Sequence, residues 1–202
     1  MTDKAYTTEA KVNTFLNTTV TAGVLDDIIL AVQKFIEEYT GRNFKADSEA
    51  SARLYDGNDS QELVIDDCIE VSTVEVGNNN YGDTFTTIGT SGTDRYYTLP
   101  NNNDVDGVPI RKLHLRSRTF LSGFQNHRIT AKWGYSENVP DDVSHVATVL
   151  VSSIYKFGRS GAVGGVKTRK IDKYTITFGN DNDLAEFNRA LEILDNYKKF
   201  EL

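Results

Sequence analysis

Between residues 24 and 39 the apolar positions Leu25, Ile28, Ile29, Val32, Phe35, Ile36 and Tyr39 recur at steps of three and four. That spacing draws one stripe down a helix of about four turns. Thr40-Gly41 closes it, because glycine just past the last periodic position takes the left-handed conformation that satisfies a helix end. A shorter stretch, Thr8 to Leu16, with Ala10, Val12, Phe15 and Leu16, predicts a preceding helix joined through Thr18 to Gly23. The pair is expected to form a helical hairpin.

From about residue 51 alternation replaces the three-four spacing, and Val, Ile, Thr and Tyr become frequent. The expected strands are Ser51 to Tyr55, Glu62 to Ile65, Ser72 to Val76, Tyr96 to Leu99, Lys112 to Arg116 and Arg128 to Trp133. Asp56-Gly57, Gly82-Asp83 and Asp106-Gly107 are turn signals between them. In the last strand Ile129, Ala131 and Trp133 share one face and Arg128, Thr130 and Lys132 the other, the pattern of a half-buried antiparallel strand.

Helical spacing returns after Pro140 with Val143, Val146, Ala147, Leu150, Ile154 and Phe157, and Asp141 and Asp142 favour the N-terminal dipole. Residues 158 to 165 carry Gly158, Gly161, Gly164 and Gly165, too little side chain to pack, and predict a hinge. Ile171, Tyr174, Ile176 and Phe178 then suggest a strand. Asp183 with Glu186 resembles a capping box that opens a last helix, residues 183–200, carrying Leu184, Phe187, Leu191 and Leu194. The fold class expected is α+β: a helical bundle with an inserted antiparallel β domain, a C-terminal strand arm and a terminal helix.

Composition narrows the function classes. The 202 residues hold a single cysteine, Cys68, so no intrachain disulfide is possible and a reducing compartment is expected. Apolar runs such as Val149 to Val151 fall far short of the roughly 20 residues of a membrane span, and the first residues lack a signal-peptide pattern. The net charge of -7 argues against a protein that grips nucleic acid. That sum hides segregation: residues 51–110 contain eleven acidic and two basic residues, and residues 111–132 six basic and none acidic. Residues 156–173 hold six basic residues against Asp172 alone. Opposite blocks of this kind suit self-association.

The motifs for chemistry are weak. His114, His127 and His145 stand at no spacing that would place two metal ligands together, and no nucleophile elbow accompanies them, so no catalytic residue, metal or cofactor is expected. Asn102 to Gly107 imitates half a calcium loop, but Leu113 occupies the position of the bidentate Glu. Gly161 to Thr168 is a poor phosphate loop, with Val166 in place of the glycine before Lys167. Trp133 and Tyr135 beside Lys132 have the composition of a base-stacking site, yet strand parity assigns Trp133 to the core.

Four stretches taken in order carry a resemblance. They are Tyr39-Thr40-Gly41-Arg42-Asn43-Phe44, then Arg53-Leu54-Tyr55-Asp56-Gly57, then Lys132-Trp133-Gly134-Tyr135 with Val139-Pro140, and Lys170 to Phe178. In order and spacing they resemble the head-tail connector, or adaptor, proteins of long-tailed double-stranded DNA phages, over about residues 24 to 178. The resemblance implies a virion structural protein, assembled in the host cytoplasm, that forms a ring, usually dodecameric, beneath the portal protein. It implies a surface for the next head-completion or tail protein and a channel through which genomic DNA passes without specific binding. On this likeness residues 1–50 and 136–202 form the bundle and 51–135 the inserted β domain. The arm, about 158–178, would dock on the portal through Lys170, Ile171, Tyr174, Ile176 and Phe178. Tyr39, Gly41, Arg42, Phe44, Tyr55, Gly57, Trp133, Gly134, Tyr135 and Pro140 are then its structural motif residues. The β region is longer than in small family members, and the terminal helix lies outside the family pattern. Other readings are a tail-completion or stopper protein, a hydrolase, or a β-sandwich binding module.

Overall fold

A computed structural model describes residues 5–21, 23–82, 84–159, 167–171, 174–178 and 181–199. In chain order the elements are α1 (Glu9–Leu16), α2 (Asp26–Thr40), β1 (Ser51–Gly57), β2 (Glu62–Gly77), β3 (Phe85–Ile88), β4 (Tyr96–Leu99), α3 (Asn103–Asp106), β5 (Ile110–Leu115), β6 (Gly123–Trp133), α4 (Asp141–Arg159), β7 (Lys167–Ile171), β8 (Tyr174–Phe178) and α5 (Asp181–Asp195). The fold is mixed α+β, with five helices and a six-stranded antiparallel sheet among the described residues. The chain packs as two compact units, residues 1–42 with 139–202, and residues 43–138.

In the helical unit Thr8 caps α1, its hydroxyl accepting from the Lys11 N–H at 3.3 Å. Gly41 closes α2 at φ 68°, its N–H donating to Glu37 O at 2.9 Å. Of the α2 stripe Leu25, Ile29, Val32, Phe35 and Ile36 are buried. The expected α1–α2 hairpin does not form as such: both helices pack chiefly on α4. Beyond its apolar stripe of Val143, Val146, Ala147 and Leu150, α4 also buries Ser144, Thr148, Ser152 and Ser153. Those small hydroxyl residues read as a polar face, but they let neighbouring elements come close. Thr148 Oγ1 meets Thr7 Oγ1 at 2.7 Å and bonds back to Ser144 O at 2.8 Å, while Lys11 Nζ donates to Ser144 Oγ at 2.8 Å. The helix runs through Gly158 to Arg159, so Gly158 belongs to its last turn and not to the hinge segment. Gly161, Gly164 and Gly165 lie outside the described residues.

The single strand expected over residues 171–178 is instead an antiparallel hairpin. Its strands β7 and β8 pair Lys167 with Phe178, Arg169 with Ile176 and Ile171 with Tyr174. The Thr and Lys content of 167–170 concealed the first strand. The last helix spans Asp181–Asp195 in place of 183–200, and residues beyond it turn back.

In the β unit the strand order is β1-β6-β2-β5-β4, with β3 paired to β2. Two strands expected at 62–65 and 72–76 are one 16-residue strand, β2. Asp66-Asp67 breaks the apolar alternation, yet the backbone stays extended because β2 changes partner there, from β5 over Glu62 to Cys68 to β6 over Cys68 to Val76. The Asp66 carboxylate is satisfied in place by Arg53 at 2.7 Å and the Tyr55 hydroxyl at 3.1 Å. The short strand β3 had no clear sequence signal. The core of this unit holds Leu63, Ile65, Val74, Val76, Leu113, Leu115, Phe120, Ile129, Ala131 and Trp133.

The charge blocks separated along the chain meet in this sheet. Register sets Glu75 opposite Arg128 and Glu70 opposite Lys132. The Arg128 guanidinium grips Glu75 through two bonds of 2.6 Å and holds its carboxyl below the usual carboxylate range. Lys132 reaches Glu70 at 2.8 Å, Lys112 reaches Glu62 at 3.5 Å, and Arg118 pairs with Asp94. Four of the six basic residues of 111–132 are thus paired with acidic residues of 51–110 within one chain.

Candidate functional site

The residues that carried the resemblance are gathered in two places, one in each unit. In the helical unit Tyr39 stacks on Phe35 at 5.7 Å and donates its hydroxyl to Asp195 at 2.7 Å. Burial, then the Asp195 bond, raises its pKa. Arg42 Nε donates to Tyr197 O at 2.5 Å, and Lys199 N–H donates to Thr40 O at 2.8 Å. The segment after α5 thus caps the C-terminal end of α2, with Gly41 as the turn, and Pro140 supplies the carbonyl for Ser144 N–H at the start of α4 at 2.9 Å.

In the β unit the entering segment 43–47 and the leaving segment 133–136 are laced together. Tyr135 N–H donates to Asn43 O at 2.8 Å, Ala46 N–H to Ser136 O at 2.9 Å and Asp47 N–H to Trp133 O at 2.8 Å. Buried Phe44 packs on Tyr135 at 5.5 Å between ring centres. Gly134 sits in this lacing at φ 139°, where a Cβ would fall 2.4 Å from Ala46 Cα. Trp133 donates its indole N–H to Ser51 O at 2.8 Å, lies 6.1 Å from the Tyr55 ring and carries the Arg53 guanidinium over its face at 4.4 Å. A Cβ on Gly57 would lie 1.7 Å from Leu121 O. The motif residues therefore build the fold; among them none converges on a reactive centre.

Two sequence candidates for chemistry are buried in that core. His127 is fully enclosed: its Nδ1 accepts from Gly77 N–H at 3.3 Å, so the proton sits on Nε2, which donates to Leu121 O at 3.1 Å. Burial lowers its pKa against the Leu121 bond that raises it. The unfolded chain protonates at about 6.5, above the folded chain, so it takes up the proton first and stability falls as pH drops below that value. Replacement by Gln is expected to flatten this acid slope in urea titrations run between pH 7 and 5. Burial, then the neighbouring Asp67 charge, pushes the Cys68 thiol up to about 12. At pH 8 it is expected to resist a thiol reagent until denaturant is added; prompt reaction of the folded protein would contradict that account.

His114 is half-exposed, 3.9 Å from Glu62, and His145 is exposed with its ring 6.2 Å from Phe15. Among the described residues no group of three His, Cys, Asp or Glu side chains stands where it could hold a metal ion, and no helix is long and apolar enough to cross a membrane. Asn102 to Gly107 forms the single turn α3, ended by Gly107 at φ 65°. The arm residues Lys170, Ile171, Tyr174, Ile176 and Phe178 all lie in the β7–β8 hairpin, which gains no third strand among the described residues.

The sequence offered no hint of one further feature. At one end of the β unit the loops before β3 and before β6 and the first residues of β6 expose Tyr81 at 74%, Leu121 at 41% and Phe124 at 69%. Hydrogen bonds and close backbone approach support this apolar tip. Buried Asn126 donates to Leu121 O and Asn79 O at 2.8 and 3.3 Å and accepts from Gly57 N–H at 3.0 Å. Gly77, Gly82 and Gly123 lie where a Cβ would come within 2.3 to 2.6 Å of facing loop atoms.

Compared with solved structures, this α+β architecture is shared with neck chains of GTA, or gene transfer agent, particles. One is from the neck of an empty GTA particle with C6 symmetry, at TM-score 0.56 and 10% identity, covering 96% of this chain and 89% of that one. The other is from the neck of a native GTA particle with C12 symmetry, at TM-score 0.51 and 11% identity, covering 96% and 88%. No protein-family model matches the sequence, and no curated protein matches it.

Proposed function

We propose that this chain is a non-enzymatic neck component of a phage-like particle, and within the neck the adaptor that forms a ring under the portal protein. The observation that carries the reading is the fold shared with GTA neck chains over nearly the whole of both partners. The sixfold and twelvefold symmetry of those necks supports a ring of twelve copies. The motif stretches that resemble adaptors support it as well, since Gly134, Trp133, Arg42 and Gly41 each hold a junction of the fold.

The ring extends the DNA channel, and duplex passes without being held. In-chain pairing of Lys112, Arg118, Arg128 and Lys132 leaves those cations with little to gain from phosphate. The β7–β8 hairpin is the portal-docking element, adding to a portal strand through its open edge, with Lys170, Ile171, Tyr174, Ile176 and Phe178 as contacts and the glycines at 161, 164 and 165 as the joint. The opposite side of the ring receives the next head-completion or tail protein.

The test is to mix the purified chain with the portal of the same particle and image the product. A coaxial ring against the portal, with crosslinks from Lys170 to portal residues, is expected. A ring that joins the neck only through other components would make the chain a stopper or tail-completion protein, and absence of any ring would overturn the reading.

A further inference from the structure

Closed rings of one chain need a heterologous contact, in which one patch on each copy meets a different patch on the next. The chain carries two unlike apolar patches suited to that. The first is the projecting tip of Tyr81, Leu121 and Phe124. Tyr81 and Phe124 are bridged backbone to backbone, so their side chains stand side by side as two knobs. Two exposed aromatics on a hydrogen-bonded support suit a binding element, since the bonds that Asn126 makes to the tip backbone lower the cost of ordering it.

The second patch is concave and lies in the helical unit. Phe15 of α1 and His145 of α4, with ring centres 6.2 Å apart, form a shared wall between two open hollows of about 490 and 230 Å³. Thr14 lines the larger hollow and Ala190 the smaller. Two neighbouring hollows match two neighbouring aromatic knobs.

Charge points the same way. The loops that make the tip, residues 56–61, 78–82 and 119–127, contain Asp56 and Asp59 and no Lys or Arg. A membrane surface or nucleic acid, both anionic, is a poor partner for such a tip. Lining the hollows, Lys11 and Arg189 balance Asp141 and Glu186, and Lys156 over the Phe15 ring at 6.0 Å adds one positive charge beside them. An acidic tip meets no net negative charge at these hollows, and the ring places the neighbouring copy's hollows within its reach.

We infer that in the ring the aromatic tip of one copy seats in the paired hollows around Phe15 and His145 of the next. This rests on the ring proposed above. The test joins the two patches chemically: a Tyr81→Cys, Thr14→Cys variant is assembled on the portal and oxidised. Buried Cys68 stays silent, so a ladder of covalent oligomers is expected from the double variant and monomer from either single one. A ring visible by microscopy that yields no ladder would overturn the contact and leave the adaptor reading intact, whereas absence of a ring from the unsubstituted chain on the portal would overturn both. As a second measurement, Phe124→Ala is expected to preserve the thermal transition, because the ring is mostly exposed, and to raise the concentration for half assembly about 30-fold. Unchanged assembly, or assembly unchanged with portal binding lost, would equally overturn the contact.

Discussion

Gly134→Ala is expected to unfold the β unit. The glycine holds φ 139°, which an L side chain rarely adopts, and the added methyl would stand 2.4 Å from Ala46 Cα and 2.7 Å from Ala46 N. Backbone on both sides prevents relief, because Gly134 N–H is bonded to Asp67 O at 2.7 Å and the next residue to Asn43 O at 2.8 Å. Strain of about 1–3 kcal/mol for the dihedral adds to a clash that can be removed only by parting the 43–47 and 133–136 segments. A loss of about 4 kcal/mol or more is expected in urea denaturation followed by far-UV circular dichroism. Gly89→Ala is the control, since its nearest facing atoms lie at 3.8 Å and its backbone is ordinary; a change within about 0.5 kcal/mol is expected. Similar stabilities for the two variants would mean that the lacing does not hold the unit.

Removal of residues 181–202 is expected to abolish cooperative folding of the helical unit. The α5 side chains Phe187, Ala190, Leu191 and Leu194 are buried. Burial of the phenylalanine and the two leucines alone is worth about 4.5–9 kcal/mol, at about 1.5–3 kcal/mol each. That is comparable to the whole stability of an ordinary domain, roughly 5–15 kcal/mol. The truncation also removes Arg42's carbonyl partner at Tyr197 and the Tyr197 hydroxyl that donates to Asp142 at 2.7 Å. Leu194→Ala isolates the packing contribution, with an expected loss of about 2–5 kcal/mol. A truncated chain that melts with the same cooperativity and midpoint as the full one would show that α5 is an appendage.

That second prediction reverses the weight the terminal helix had in the sequence. Its capping-box start and apolar spacing were legible, but its partners were not, because helical periodicity says that a face will be buried and nothing about which face covers it. The same limit explains α1 and α2, which look like a hairpin and instead share α4. Ser144, Thr148, Ser152 and Ser153 disguise how much of α4 is enclosed. The glycine at 158 was read as slack, yet α4 continues through it.

In the β unit Ile129, Ala131 and Trp133 lie on the buried face that their alternation assigns them. The tip of Tyr81 and Phe124 was invisible, since an exposed aromatic and a core aromatic look alike in a string of residues. So were the requirements at Gly57 and Gly134, which arise from strands and segments dozens of positions away.

Local spacing by itself determined the α+β class, the main helices, most strands, the Gly41 helix end and the buried fate of Trp133, because each depends on neighbours within a few positions. Tertiary structure alone decided the strand order, the joining of β2 through Asp66 and Asp67, and the partners of Glu62, Glu70, Glu75 and Asp94. Part of the acidic and basic blocks that seemed reserved for other copies pairs across strands instead, since antiparallel register brings residues such as Glu75 and Arg128 face to face.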